Sequence, residues 1–374
     1  MITVVQATTP KEMLSFVKFP FQLYAHNPHW VPPLIQEELD SFNPQINPVF
    51  DQAEAYFYLA YKQNELVGRM AAIINWEEVN HQNKRKVRFG WWDVIDDVEV
   101  TEALLKKVYE LGKKNQLDHV EGPMGFSNLD KVGVITEGFD FIGSMITWYN
   151  YPYYASHLEK LGFVTEKEYI ESEFSFTNVN PELFEKAATL ISQRYQLKSL
   201  SFTKTKDLMP YVDEMFDLFN TSYAKLASFV ALNERQKAYF KKKYISFINP
   251  EYIKFVVDAH GKLIAFGIVM PSFSQALQKT KGKLFPFGFY HLLRAKKQSK
   301  DVLFYLIGIE PEYQNKGVTA LLFKEYYTVF KEKNIQKCIR TPELVDNLAI
   351  QNLWKNFSPK VTRRRKTFLK KLTS

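Results

Sequence analysis

DVLFYLIGIEPEYQNKGVTALLF, residues 301–323, changes its hydrophobic period twice within a few positions and places a glycine at the second change. Residues 302–309 form a short apolar run with aromatic and β-branched side chains, which reads as a buried strand. Pro311 ends the run, and residues 312–317 (EYQNKG) make a polar loop. From Val318 the apolar residues Leu321, Leu322 and Tyr326 recur at the spacing of one helix face. The stretch is therefore strand, loop, helix start. The first amides of a helix have no internal partner, and the helix dipole adds partial positive charge there. An anion fits such an end. Gly317 lets a bulky phosphate reach the backbone, and Lys316 adds a full charge.

The rest of the chain frames that site. At 374 residues, 46% apolar and 24% charged, it suits two globular domains. The aromatic share of 16% points to large cores or greasy pockets. The single cysteine, Cys338, excludes a disulfide framework and a multi-cysteine zinc site, and the histidines lack metal-ligand spacing. No metal is expected. There is neither a signal-peptide pattern at the N-terminus nor an apolar window of about 18 residues, so a soluble, cytoplasmic protein is expected. A net charge of +8 is compatible with nucleic acid, a membrane surface or an anionic cofactor and does not choose among them.

Read in order, residues 3–6 suggest a strand, and a helix from about Lys11 is interrupted by Pro20. Residues 26–34 (HNPHWVPPL) form a proline-pinned extended brace. Residues 55–75 read as two strands with a turn at Gln63 and Asn64, residues 84–97 as a strand, and residues 101–116 as a helix. Here the glycine loop is replaced by Asp96, Asp97, Val98 and Glu99, whose charge would repel phosphate. An irregular glycine-punctuated segment reaches Met145, followed by a helix from Pro152 to its stop at Gly162 and a strand over 168–176. After a connecting helix over 177–195, the second half repeats the grammar. It has a strand at 197–202, helices over 206–227 and 233–247, and a hairpin around Gly261. The opening stretch, a strand at 337–340, a helix over 346–356 and a basic last strand from Val361 complete it. A tandem repeat of mixed-sheet α/β domains follows: 1–176, a linker over 177–195, and 196–374.

In this frame the chain resembles the Gcn5-related N-acetyltransferase (GNAT) superfamily, whose pyrophosphate loop follows the pattern [Q/R]-x-x-G-x-[G/A]. The loop reads Gln314, Asn315, Lys316, Gly317, Val318, Thr319, with Thr319 departing from the usual small residue. The approach through Ile309, Pro311, Glu312 and Tyr313 fits the pattern, as does the later Asn347, Ala349, Trp354 and Phe357. The match covers 197–374 by motif, and 1–176 by element order and the helix YYASHLEKLGF. A narrower resemblance, to bacterial tandem-fold acyltransferases including ceramide-synthase-like members, rests on four features: PHWVPP (28–33), Gly122-Pro123, Gly138-Phe139-Asp140 and Tyr153 to Leu158. The resemblance implies two tandem acyl-CoA N-acyltransferase domains, the first degenerate and shaping the acceptor site at their junction. Acyl-CoA or acetyl-CoA would be the co-substrate and a small or lipid-like primary amine the acceptor.

It also implies roles. Ile307, Gly308 and Ile309 would pair with pantetheine, Gln314 to Thr319 would hold the pyrophosphate, and Asn347 would contact the pantetheine side. Acyl transfer needs a deprotonated amine, an oxyanion donor and a proton for the thiolate. Many relatives carry a tyrosine where this chain has Trp354, and an indole does not protonate a thiolate. Glu343, read as lying just past the strand, and Tyr305 are the remaining catalytic candidates, beside a water-mediated base or none. Asn150, Tyr153 and Tyr154 are core residues or an acceptor pocket. His291, a further candidate for binding the acceptor, lies in KLFPFGFYHLLRAKK (283–297), which is a helix packed on its own domain or an interfacial segment that meets a lipid-like acceptor or the inner face of a membrane. The basic tail TRRRKTFLKK (362–371) is read as an exposed structural strand rather than a nucleic-acid patch. Two rivals stand beside the enzyme: a catalytically inactive ligand- or partner-binding protein of the same fold, and a peripheral nucleic-acid binder.

Overall fold

The computed structural model describes residues 1–372 except Asn128, Ala227, Ser228, Ser246 and Phe247. The chain divides into two compact units. Unit 1 comprises Met1–Ile170, Ser274–Leu292 and Thr362–Ser374; unit 2 comprises Glu171–Phe273 and Leu293–Val361. Neither unit is one run of chain.

In unit 1, β1 (Ile2–Gln6), β2 (Ala53–Lys62), β3 (Glu65–Asn75) and β4 (Lys86–Val94) form an antiparallel meander. The β2–β3 turn is made by Gln63 and Asn64, both at positive φ, which matches the strand twist. β5 (His119–Gly122) then lies parallel to β4, with the helix Val98–Lys114 as its crossover. The apolar face of that helix, including Leu104, Leu105 and Val108, packs on Val87, Phe89 and Val120. The first helix, Pro10–Leu23, starts on a Thr9–Glu12 capping box and runs through Pro20, where the sequence suggested a break. β6 (Val134–Glu137) lies inside the segment expected to be irregular.

Along β7 (Val164–Ser175) the chain passes into unit 2. There β8 (Lys198–Ser201), β9 (Ile253–Val257), β10 (Leu263–Pro271) and β11 (Asp301–Ile309) repeat the meander, and β12 (Lys337–Leu344) lies parallel to β11. The helix Thr319–Glu332 makes this crossover, burying Leu321, Leu322, Tyr326 and Phe330 against Val302, Phe304 and Cys338. The helix expected over 206–227 is divided by Pro210 into Thr205–Leu208, a 3₁₀ turn and Val212–Tyr223. Its expected end at Ala227, and the end of the next at Phe247, lie outside the described residues. The same element order thus occurs in both units.

The last strand, β13 (Lys360–Lys371), returns to unit 1, where residues 364–371 pair with β5 and β6. It is not the exposed strand the sequence suggested. Arg365, Thr367 and Phe368 are fully buried, and Arg363 nearly so. Arg363 Nε donates to Gly138 O at 3.1 Å, and Arg365 donates to Gly133 O at 3.3 Å. Gly138 is required there because a Cβ would sit 1.9 Å from Thr362 O. The two arginines are consumed by backbone carbonyls, which removes them from any nucleic-acid patch.

Candidate functional site

In unit 2 the parallel strands β11 and β12 pair only from Asp301↔Lys337 to Phe304↔Arg340. Beyond that point β11 stays paired with β10 through Leu306, Ile307, Gly308 and Ile309, while β12 continues to Leu344 without it. Tyr305 is the extra residue of a bulge between Phe304 and Leu306, and a bulge bends a strand and increases its twist. The strands therefore part at Tyr305. One edge of β11 over residues 306–309 could take an extended ligand carrying amides, which can add to it as a strand would. Gly308 is fixed by packing, since a Cβ would lie 2.2 Å from Phe266 Cε1 and 2.9 Å from Ser222 Oγ. At this edge the Tyr223 hydroxyl donates to Ile307 O at 3.2 Å. Burial pushes its phenol up to about 12, and the charge of Glu343 adds to the rise.

β11 leads into the loop. Pro311–Tyr313 forms a 3₁₀ turn, Gln314 Nε2 donates back to Ile309 O at 3.2 Å, and Asn315 and Gly317 take φ of 62° and 75°. These two left-handed positions turn the chain so that the helix Thr319–Glu332 starts at the end of β11. No side chain caps this helix. Among the described residues the amides of Gly317, Val318 and Thr319 have no acceptor, and residues 314–317 are exposed. Val318 is buried and anchors the turn in the core. The Lys316 ammonium lies 4.9 Å from the Tyr313 ring centre and 5.3 Å from that of Tyr195, which holds the cation beside the helix end. Three free amides, a dipole and a positioned lysine are the groups that could hold an anion.

Glu343 lies on β12 itself, which runs to Leu344, rather than past its end. Its Oε1 accepts from Trp354 Nε1 at 3.0 Å and from Arg340 Nε at 3.3 Å, and its Oε2 pairs with the other arm of Arg340 and with Gln351 at 3.4 Å. Burial raises its carboxyl against the opposing pull of Arg340 and the indole. Trp354 is buried against Phe304, Phe323 and Phe357, so its indole orients this carboxylate. Asn347 caps the helix Leu348–Trp354, its Oδ1 accepting from Ile350 N at 3.3 Å. Tyr305 is half-buried at the parting of the strands.

Unit 1 has the same geometry with the openings filled. β4 and β5 pair from Lys86↔His119 to Arg88↔Glu121, and β4 carries a bulge at the equivalent place, where Trp91 has φ of 41°. At the end of β4 the Tyr154 hydroxyl accepts from Val94 N at 3.0 Å, and the Tyr153 hydroxyl donates to Val94 O at 2.7 Å. Tyr154 is fully buried and also bonds the Tyr24 hydroxyl at 2.9 Å. At the helix start, Asp97 caps Glu99 N at 3.0 Å and pairs with Lys62 at 2.7 Å, which holds its carboxyl below the usual range. A carboxylate of the chain occupies the place of an external anion.

The sequence candidates for an acceptor pocket each have contacts within the chain. Asn150 is buried with its amide spent on Ile135 N, Ile135 O and Tyr151 O. Tyr153 and Tyr154 serve Val94 as described, and His291 is half-buried beside the Tyr290 ring at 5.9 Å. The sequence reading missed Tyr223. The signal was the apolar stripe Met215, Phe216, Phe219, Tyr223, whose last member alone carries a hydroxyl that needs a partner when buried. Among the described residues no three His, Cys, Asp or Glu side chains gather as a metal site.

No protein-family model matches the chain. It is 24% identical over 372 residues to protein YghO of Escherichia coli K12, covering 96% of this chain and 93% of that one. It is 25% identical over 321 residues to the bacterial ceramide synthase of Caulobacter vibrioides, covering 84% and 82%. Among solved structures, a tandem GNAT protein from the clavulanic acid biosynthesis pathway superposes over 100% of this chain and 99% of its own, with a TM-score of 0.58 at 12% identity. The repeated meander, the parallel strand pair in each unit and this whole-length match agree: the chain has the tandem Gcn5-related N-acetyltransferase fold.

Proposed function

We propose that the chain is an acyl-CoA-dependent N-acyltransferase whose chemistry is carried by unit 2, unit 1 being a degenerate copy. The observation that carries this reading is the pairing of two openings at one end of β11: a strand edge beyond Tyr305, and three unpartnered amides at Gly317, Val318 and Thr319. Pantetheine amides suit the first and a pyrophosphate suits the second, and coenzyme A joins the two. Gln314 to Thr319 would hold the pyrophosphate and Ile307 to Ile309 the pantetheine. Asn347 would border the pantetheine side while capping its helix.

In the reaction a neutral amine nitrogen attacks the thioester carbonyl carbon, the amide C–N bond forms, the C–S bond breaks, the thiolate takes a proton, and the nitrogen gives one up to water. Tyr223 keeps its proton at neutral pH and sits at the strand edge that the thioester arm would follow, and this position makes its hydroxyl the candidate proton donor. Glu343, engaged by Arg340, Trp354 and Gln351, acts as a positioning carboxylate facing Tyr223, and Tyr305 shapes the parting of the strands. The acceptor is a primary amine of lipid-like character. Support for this comes from the full-length similarity to a protein named as a ceramide synthase, since a ceramide is the N-acyl derivative of a long-chain amino alcohol.

The test is calorimetric titration with coenzyme A, acetyl-CoA and palmitoyl-CoA, followed by thiol release with short and long-chain amines. Binding, with turnover on a long-chain amine, is expected. A folded protein that binds none of the three ligands overturns the enzyme reading.

A further inference from the structure

Large apolar side chains exposed to solvent are scattered through the chain singly, except at one place. Of the 13 among the described residues, five fall within residues 285–293: Phe285 (76% exposed), Phe287 (73%), Phe289, Tyr290 and Leu293. They include every aromatic in that set. The segment is not a loose loop. Ser274 Oγ donates to Gly143 O at 2.8 Å, Gln278 Nε2 donates to Pro28 O at 2.7 Å and Trp30 O at 3.0 Å, and Ile35 N donates to Gly282 O at 2.9 Å. The proline-rich brace read from the sequence thus clamps the base of this segment within unit 1. Its helix, Gly288–Gln298, turns Gly288 and Leu292 inward and carries Phe289, Tyr290, Leu293, Arg294 and Lys297 on the outer face.

The charges around these rings have one sign. Between residues 279 and 300 the sequence holds seven Lys and Arg and no Asp or Glu. Lys281, Lys283, Arg294 and Lys297 are exposed. Among the described residues no helix is long and apolar enough to cross a membrane. Aromatic rings prefer the headgroup level, and a rim of ammonium and guanidinium groups matches the phosphates of anionic lipids.

We propose that residues 281–297 form an interfacial anchor that seats the protein on an anionic bilayer. Phe285, Phe287, Phe289 and Tyr290 enter the boundary between headgroups and acyl chains, and the surrounding lysines and arginine hold the phosphates. The anchor stands apart from the acyltransferase reading, and it would bring the chain to the phase in which a lipid-like amine is dissolved.

The experiment is co-sedimentation of the whole chain with vesicles of phosphatidylglycerol and, separately, of phosphatidylcholine. Sedimentation with the first and not the second is expected. The triple variant Phe285→Ser/Phe287→Ser/Phe289→Ser should lower partitioning at least about tenfold. Lys281→Glu/Lys283→Glu should lower it at least about fivefold for each position changed, an effect that weakens as salt is raised. All these positions are exposed, so unfolding curves and coenzyme A binding should match the parent, which reads the anchor separately from the site in unit 2. Retention of the parent in the supernatant with both lipids overturns the proposal, as does undiminished partitioning of the serine variant. A parent that is dimeric without vesicles, and made monomeric by the serine substitutions without any vesicle binding, assigns the rings to self-contact and also overturns it.

Discussion

Replacing Lys316 by glutamate tests the anion site without disturbing the fold. The side chain is exposed, and its contacts are the rings of Tyr313 and Tyr195 at 4.9 and 5.3 Å, worth about 0.5–1 kcal/mol at such a site. The effect on the ligand is larger. A charge about 6 Å from a phosphate in a water-like medium interacts by about 0.7 kcal/mol per charge pair. Reversal changes the lysine position by two units against about two phosphate charges, giving about 2.8 kcal/mol, and physiological salt reduces this by about half. Lys316→Glu should therefore weaken coenzyme A binding about tenfold. Titration calorimetry at low and high ionic strength measures it, and the difference between parent and variant should shrink as salt rises. A loss below about twofold at low salt refutes the assignment of phosphate to this helix start. A tenfold loss that ignores salt refutes the electrostatic account and points to a distorted loop.

Gly317→Ala places a Cβ at φ of 75°, 2.6 Å from Ile191 Cδ1, and should lower stability by about 1–2 kcal/mol in urea unfolding while weakening coenzyme A binding. Tyr223→Phe should lower kcat at least about 100-fold with thioester affinity retained, read by thiol release; parent-like turnover removes Tyr223 as proton donor. Glu343→Gln leaves Arg340 buried without its counter-charge and should cost about 3 kcal/mol of stability, seen as a lower urea midpoint. His157 bonds Thr101 Oγ1 at 2.9 Å and Asp96 at 3.2 Å, and burial holds its imidazole below the usual value of 6.5. The neutral form is favoured in the folded state, so its contribution to stability is present above about pH 6.5 and is lost as pH falls through the lowered folded value. Tm should fall on acidification below pH about 6.5, and His157→Gln should flatten that part of the profile.

What was legible in the sequence was what local periodicity and turn chemistry control. The strand–loop–helix of residues 301–323, the Gln63-Asn64 hairpin and the stop at Gly162, φ 78°, are decided by residues a few positions apart. The repeat was legible because it is an order of such elements. Long-range pairing was not. Nothing near Arg363 and Arg365 says that carbonyls of residues 133–141 will take their charge, so a basic alternating strand read as exposed. Nor does Tyr223, 84 positions from Ile307, carry a local sign of its partner. Glu343 was misplaced for a smaller reason. Pro342 and the polar residues after Arg340 resemble a strand end, whereas β12 continues to Leu344 after its pairing with β11 has stopped at Arg340.

The bend also explains how one fold can hold an open copy and a closed one. Where β11 and β12 part, backbone groups lose strand partners, and an unpaired buried polar group costs about 1–3 kcal/mol. Such an opening persists only if something satisfies it. In unit 1 the chain does so itself: Tyr153 and Tyr154 serve both polar groups of Val94, and Asp97 serves the helix start. In unit 2 the Tyr223 hydroxyl reaches Ile307 O, and the helix start is left to solvent. A ligand entering unit 1 would have to displace three bonded side chains. One entering unit 2 meets a single bonded hydroxyl, that of Tyr223, and amides that need no displacement. The difference between the copies therefore lies in who completes the backbone, and removing the capping carboxylate with Asp97→Ala would not by itself reopen unit 1 while the two tyrosines remain.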